Sequence, residues 1–240
     1  MVKADLTERL VKFNLSRQEA QLYLCLWHKG RLTGYEAAKI LGISRSNVYS
    51  SLKNLVEKGA ALVIEGTPLV YSAVDPEEYM ENKLRELKEE KEYILRTLPK
   101  KEKEKGGYFT IQGSNHIQNK VNHMIRECKK RLYFSAEGDI ISRFADLLKE
   151  GKQLGLKIVL MSDQDFSEIA TKFYQDIPEK GQIRLITDSS YVLTGELTGK
   201  GEDTCLYSEQ GNLVSIMKDA LGNRIKLLEL EGIERMNKHD

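Results

Sequence analysis

The polar side chains best spaced for work lie in one short run. In Ser44-Arg45-Ser46-Asn47-Val48-Tyr49-Ser50-Ser51-Leu52-Lys53, Val48, Leu52 and the following Leu55 recur at spacings of four and three. That gives a helix one apolar stripe to bury and leaves Ser46, Tyr49, Ser50 and Lys53 on the other side. Hydroxyl, amide and amine groups so arranged suit hydrogen bonding to base edges and phosphate oxygens rather than bond-breaking chemistry. Candidates for bond-breaking or metal chemistry are thin. His116 and His123 share a helix face but lack a third ligand or triad partner nearby, and with His28 and His239 they read as surface histidines. Cys25, Cys128 and Cys205 form no CxxC pair and read as small buried or half-buried apolar groups. No cofactor or metal is expected.

The polar run needs a mount, and the flanking sequence supplies one. Thr33 caps a short helix with Glu36 three residues on, Gly42 breaks it, Ser44 caps the next, and Gly59 stops that one. The pair reads as a helix-turn-helix whose second helix reads a major groove. Leu62-Val63-Ile64-Glu65, the turn Gly66-Thr67-Pro68 and Leu69 to Val74 read as the two strands of a wing, with Thr67 at its tip. Arg45 is placed to meet phosphate or a base edge. Asn47 is the adenine reader by chemistry, although its angle could equally turn it toward the preceding helix. Thr33 and Tyr35 are candidates for backbone contacts beside Ser44, Ser46, Asn47, Tyr49, Ser50 and Lys53. Upstream, Leu6, Leu10 and Phe13 side a first helix, Ser16-Arg17-Gln18-Glu19 is a capping box, and Ala20, Tyr23, Leu24 and Trp27 line a second helix, with Trp27 expected as a core anchor.

Asp75-Pro76-Glu77-Glu78 is a strong helix start. Met80, Leu84, Leu87, Lys91, Ile94 and Leu98 follow with the alternating four and three spacing of a coiled-coil seam before Pro99. A modest dimer contact is expected there, since Lys91 interrupts the apolar run; the alternative is a helix packed on its own domain. Lys100 to Gly107 is a charged junction. Beyond it strands alternate with helices: strands from Tyr108, Arg131, Lys157, Gln182, Tyr191 and Thr204, and helices from Ser114, over 140–154, over 166–174 and over 213–230. The expected domains are 1–75, a winged helix-turn-helix; 76–105, a linker and dimerisation helix; and 106–240, an α/β sandwich, giving an α/β protein overall.

Charge and composition narrow the reading. The 240 residues carry a net charge of +1, so the whole molecule makes no case for nucleic acid by charge alone. Residues 1–75 hold ten Lys or Arg against seven Asp or Glu, a thin surplus on the part expected to face phosphate. The start has no apolar signal region and no stretch reaches the length of a membrane span, so a cytoplasmic protein without membrane contact is expected.

On Leu15-Ser16-Arg17-Gln18-Glu19-Ala20, on Ser44-Arg45-Ser46-Asn47-Val48-Tyr49, and on the order of parts, the chain resembles the TrmB family of transcriptional regulators. That resemblance implies a winged helix binding operator DNA as a dimer, a linker helix pairing the subunits, and a carboxy-terminal domain like half of a phospholipase D sandwich. Many members sense sugars through a further region downstream; the sequence ends soon after Leu230, and that region is expected to be absent. Phospholipase D enzymes carry His-x-Lys with an Asp downstream. Here the segment from Asp188 to Gly195 resembles the part beginning at that Asp, and counting back puts Gly181 at the nucleophile and Ile183 at the phosphate clamp. No enzyme is expected. The partners expected are double-stranded DNA, a second copy of the chain, and a small-molecule effector near Asp188 and Tyr191 if the carboxy-terminal domain senses rather than only dimerises. The alternative function is a dimeric ligand-sensing or protein-interaction adaptor that does not bind DNA.

Overall fold

A computed structural model describes residues 2–99 and 106–236, and the chain divides into two units, Met1–Lys101 and Glu102–Asp240. The junction expected at Lys100 to Gly107 lies, up to Lys105, outside the described residues, as does His239.

In the first unit α1 (Val2–Val11) buries Leu10 and leaves Leu6 exposed. Ser16 then starts α2 (Arg17–Lys29): its Oγ accepts the Glu19 N–H at 3.2 Å while the Glu19 carboxylate accepts the Ser16 N–H at 2.8 Å. Two backbone donors that a helix start would leave unpaired are satisfied reciprocally. Thr33 and Glu36 repeat the arrangement, which joins β1 (Leu32–Thr33) to α3 (Gly34–Leu41). Gly42, at φ 67°, ends α3 in the left-handed region, and α4 (Arg45–Glu57) follows after a two-residue turn. β2 (Ala61–Ile64) and β3 (Val70–Ala73) form the wing hairpin, with Leu62 opposite Ser72. β1 adds antiparallel to β3, so the sheet order is β1-β3-β2. The two-residue β1 is too short to show a period in the sequence.

The core between these elements holds Leu22, Tyr23, Leu26, Ala37, Val48, Leu52, Leu55 and Tyr79, each at most 1% exposed. Trp27 is not in it: at 45% exposed it lies on the surface, because the buried stripe of α2 runs through Glu19, Leu22, Tyr23 and Leu26 and leaves position 27 to one side. The anchoring aromatics are Tyr23 and Tyr79, whose hydroxyls donate to the carbonyls of Val74 and Phe13 at 2.9 and 2.7 Å. Tyr79 belongs to α5 (Pro76–Thr97), capped by Asp75, whose carboxylate accepts the N–H groups of Glu77 and Glu78. That one buried ring ties the start of α5 to the unit. From Leu84 to Pro99 every residue is exposed.

In the second unit the strands are β4 (Tyr108–Gln112), β5 (Arg131–Ala136), β6 (Lys157–Ser162), β7 (Lys172–Gln175), β8 (Gln182–Thr187), β9 (Tyr191–Glu196) and β10 (Thr204–Ser208). They form one sheet in the order β4-β10-β9-β8-β5-β6-β7, parallel only at β5/β6 and β6/β7. Alternate side chains face opposite layers. Ile158, Leu160, Ile183 and Leu185 meet α6 (Ser114–Glu127) and the α7 (Gly138–Ser142) and α8 (Ala145–Gln153) pair; Met161, Ile186 and Val192 meet α9 (Gly211–Met236).

Two expectations fail here. Residues 166–174 form no helix: Ile169 and Ala170 N–H close a turn on the Phe166 carbonyl, and from Lys172 the chain runs beside β6 as the edge strand β7, flanked by Thr171 N–H on the Ile158 carbonyl at 2.7 Å and Asp176 N–H on that of Ser162 at 2.9 Å. Nor is 140–154 one helix. It breaks at Phe144, which turns in to pack its ring 5.9 Å from that of Phe134.

Candidate nucleic-acid interface

The outward face of α4 is built from its buried one. Val48, Leu52 and Leu55 are fully buried and Ser51 nearly so, which fixes the helix roll and leaves Ser46, Asn47, Tyr49, Ser50 and Lys53 exposed. At the start of the helix Ser44 Oγ accepts the Asn47 N–H at 3.4 Å, so Ser44 is engaged in capping. Thr33 is engaged likewise, its hydroxyl donating to Glu36 at 2.8 Å; Thr33's backbone and hydroxyl donors hold the Glu36 carboxyl below its ordinary range.

Around this face stand Tyr35 and Arg45. The Arg45 guanidinium lies 4.4 Å from the centroid of the Tyr35 ring, and the ring is 49% exposed. The stack holds the cation at the helix start without pairing it to an acid. Tyr49, 45% exposed, lies across Gly34: a Cβ added at Gly34 would come within 2.4 Å of its ring. Lys53 pairs with Glu57 at 3.7 Å across one exposed turn, a contact too weak to withhold the amine from phosphate. The wing contributes differently. Leu62, Val63, Ile64 and Leu69 are 39–60% exposed, Thr67 sits exposed in the turn, and Glu65 is the one charged residue from Ala61 to Ala73.

What holds α4 in place was not visible in the sequence. Glu19, 3% exposed, receives the Lys58 ammonium at 2.6 Å and the Asn54 amide at 3.0 Å as well as the Ser16 N–H, and Lys58 also donates to the Asn14 carbonyl at 2.8 Å. Burial pushes the Glu19 carboxyl up, but the hydrogen bonds from Lys58, Ser16 and Asn54 outweigh it and hold it below the ordinary range. The start of α2 is thereby clamped to the end of α4. A glutamate on the otherwise apolar buried stripe of α2 was the available signal.

The second unit places Asp188 and Tyr191 at one cavity of about 610 Å³, together with His123, Glu127, Lys129 and Glu209. Asp188 is engaged there. Its carboxylate accepts the N–H groups of Lys129, Lys130 and Arg131 at 2.7, 2.8 and 3.0 Å and the Cys128 thiol at 3.3 Å. Burial works to raise its carboxyl and these donors more than reverse that. Asp188 and Ser189 also take left-handed conformations, φ 51° and 54°, in the β8–β9 turn. Tyr191 stacks nearly parallel on Tyr207 at 6.3 Å, and the Lys120 amine lies 3.5 Å over the Tyr207 ring. Gly181 donates its N–H to Glu137 at 2.6 Å and Ile183 is fully buried, so neither position offers a nucleophile or a cation. Among the described residues no cluster of His, Cys, Asp and Glu could hold a metal ion, and no helix is long and apolar enough to cross a membrane.

A capped helix pair with a third helix behind it and a three-stranded wing defines a winged helix-turn-helix. Residues 10–77, within the first unit, match the family described as sugar-specific transcriptional regulator TrmB. The chain is 24% identical over 240 residues to the uncharacterized protein YrhO of Bacillus subtilis (strain 168), covering 95% of this chain and 87% of that one. It is 25% identical over 174 residues to the HTH-type sugar sensing transcriptional regulator TrmBL1 of Pyrococcus furiosus, covering 70% of this chain and half, 50%, of that protein. It is 25% identical over 204 residues to the DNA-binding HTH-type transcriptional repressor TrmBL2 of Thermococcus kodakarensis, covering 77% of each. Among solved structures, the phospholipase D family member Nuc from Salmonella typhimurium matches with 14% identity and a TM-score of 0.42 over 51% of this chain and 95% of that one.

Proposed function

We propose that this chain is a sequence-specific DNA-binding transcriptional regulator that acts as a homodimer on an inverted-repeat operator. The observation that carries the reading is the exposed polar face of α4, with Arg45 set beside it on Tyr35. Ser46, Asn47, Tyr49 and Ser50 would read base edges, with Arg45 and Lys53 on phosphate. The TrmB family match and the likeness to TrmBL1 and TrmBL2 support it.

The dimer is inferred from α5. Leu84, Leu87, Ile94 and Leu98 are 49–60% exposed along one seam, with Met80 at its buried end and Lys91 exposed within it. The part of α5 from Leu84 to Thr97, which nothing in its unit covers, is of the length at which an isolated helix is marginal in water, and a second α5 is the natural cover for a seam of that spacing. Two-fold pairing then presents two copies of α4 to half-sites in inverted repeat. The cavity at Tyr191 is where a small-molecule effector would act on the second unit; Asp188 would shape its rim rather than bind the ligand.

Fluorescence anisotropy with DNA from the protein's own upstream region, at two salt concentrations, tests the function. Retention over scrambled DNA that weakens with salt is expected; equal or absent retention on both sequences refutes it. One observation favours a second reading, a dimeric protein-interaction adaptor: the wing exposes Leu62, Val63, Ile64 and Leu69 and carries no cation. Absent DNA retention from a dimer in light scattering would select it.

A further inference from the structure

We propose that the outward face of α9 is a second self-association seam and that it pairs with α9 of another copy. The inward face is already covered: Val214 and Leu221, 4% and 2% exposed, pack with Met161, Ile186 and Val192 of the sheet. The opposite face should be polar in a helix with one apolar side. Instead it carries Ile216, Ala220, Asn223, Leu227 and Leu230, all exposed, with Ile216 at 62%, Leu227 at 51% and Leu230 at 58%. Their spacing alternates four and three, the repeat that keeps one face of a helix against a partner helix.

Self-complementarity identifies the occupant. Asn223 stands at the middle of the seam, and its amide carries both donors and an acceptor, so it satisfies an identical amide across a two-fold axis. An antiparallel pair centred there sets Ile216 against Leu230 of the other copy and the small Ala220 against the large Leu227 of the other copy. The same register brings Asp219 beside Lys226 of the other copy, opposite charges on the flank. A parallel pair would need Arg224 for Asp219, but Arg224 is already bound to Asp176 through Nε at 3.1 Å. From Ile216 to Leu230 the seam spans two heptads, about 21 Å at the helical rise, which is short of the three or four heptads of a self-standing coiled coil. It therefore works alongside the α5 seam, and the proposal rests on the homodimer reading.

Disulfide capture in the full-length chain tests it. Asn223→Cys is compared with Ser215→Cys, which is exposed but off the seam, both keeping the native cysteines, with folding checked by circular dichroism. A dimer in light scattering, with an Asn223→Cys cross-link forming at least tenfold faster than that of Ser215→Cys, is the expected result. A dimer with no such preference overturns the α9 seam and leaves the α5 dimer standing. A monomer at every concentration overturns both. Mixed Ile216→Cys and Leu230→Cys chains should give the mixed disulfide; a disulfide between two Ile216→Cys chains overturns the antiparallel arrangement.

Discussion

Replacing Glu19 with Ala removes one acceptor from three donors at once: the Ser16 N–H, the Asn54 amide and the Lys58 ammonium. Hydrogen bonds involving a charged group are worth roughly 1.5–3 kcal/mol each. Lys58 keeps 28% of its side chain exposed and recovers part of its loss through water. The expected loss is therefore about 3 kcal/mol, the low end for breaking a buried pair. For a domain the size of the first unit this lowers the melting midpoint by ~15 °C. The assay is built into the sequence, because the single tryptophan, Trp27, lies in α2 and reports that unit alone. Acid sharpens the test. A folded-state carboxyl held below its unfolded value contributes stability that is complete above about pH 4.3 and is lost as pH falls through the lowered value. The gap between wild type and Glu19→Ala should thus be full at pH 7 and close on acidification. A gap below ~0.5 kcal/mol at pH 7, or one that widens in acid, refutes the clamp.

Lys53→Ala should leave the melting midpoint unchanged, since its pair with Glu57 is exposed, and should reduce the slope of log affinity against log salt by about 0.9; an unchanged slope removes Lys53 from phosphate. Gly34→Ala places a methyl group where the Tyr49 ring lies and so displaces the ring rather than the helix. Specific DNA affinity should fall by roughly tenfold with little change in melting, and a variant that binds as wild type shows that Tyr49 makes no contact that matters. Asp188→Ala strips the acceptor from the Lys129, Lys130 and Arg131 N–H groups and should cost the second unit about 2–3 kcal/mol. Near-ultraviolet circular dichroism follows that loss, which should fade in acid because the Asp188 carboxyl is also held low; a midpoint equal to wild type refutes its structural role.

Legibility in the sequence followed the range of the interactions. The capping boxes at Ser16 and Thr33 involve residues three apart, so type and spacing are enough to write them down. The stripe of Val48, Leu52 and Leu55 was readable for the same reason, and with it which side of α4 would be free. Partners far apart in sequence left no such trace. Glu19 meets Asn54 and Lys58 across 35 and 39 residues, and Asp188 meets Lys129 across 59, so the sequence showed Glu19 only as a capping-box residue and Asp188 only as a candidate pocket residue. Trp27 misled because size suggests burial, whereas the roll of α2 is decided by the whole stripe. Residues 166–174 misled because a turn followed by a four-residue edge strand carries no alternation strong enough to outvote a few apolar residues at helical spacing.

The distribution of cations bears on why two copies would be needed. Arg45 is stacked on Tyr35 and Lys53 faces Glu57, while Ala61 to Ala73 of the wing contributes no positive charge. If each cation neutralised one phosphate, one copy would release about two counterions, a weak salt-dependent hold compared with proteins making six to ten phosphate contacts. A second copy on the same duplex doubles the contacts and turns its own binding into an intramolecular step at high effective concentration. That gain depends on the spacing between the two copies of α4. In the proposed homodimer that spacing follows from the α5 seam, because Tyr79 ties the start of α5 to the same unit that carries α4.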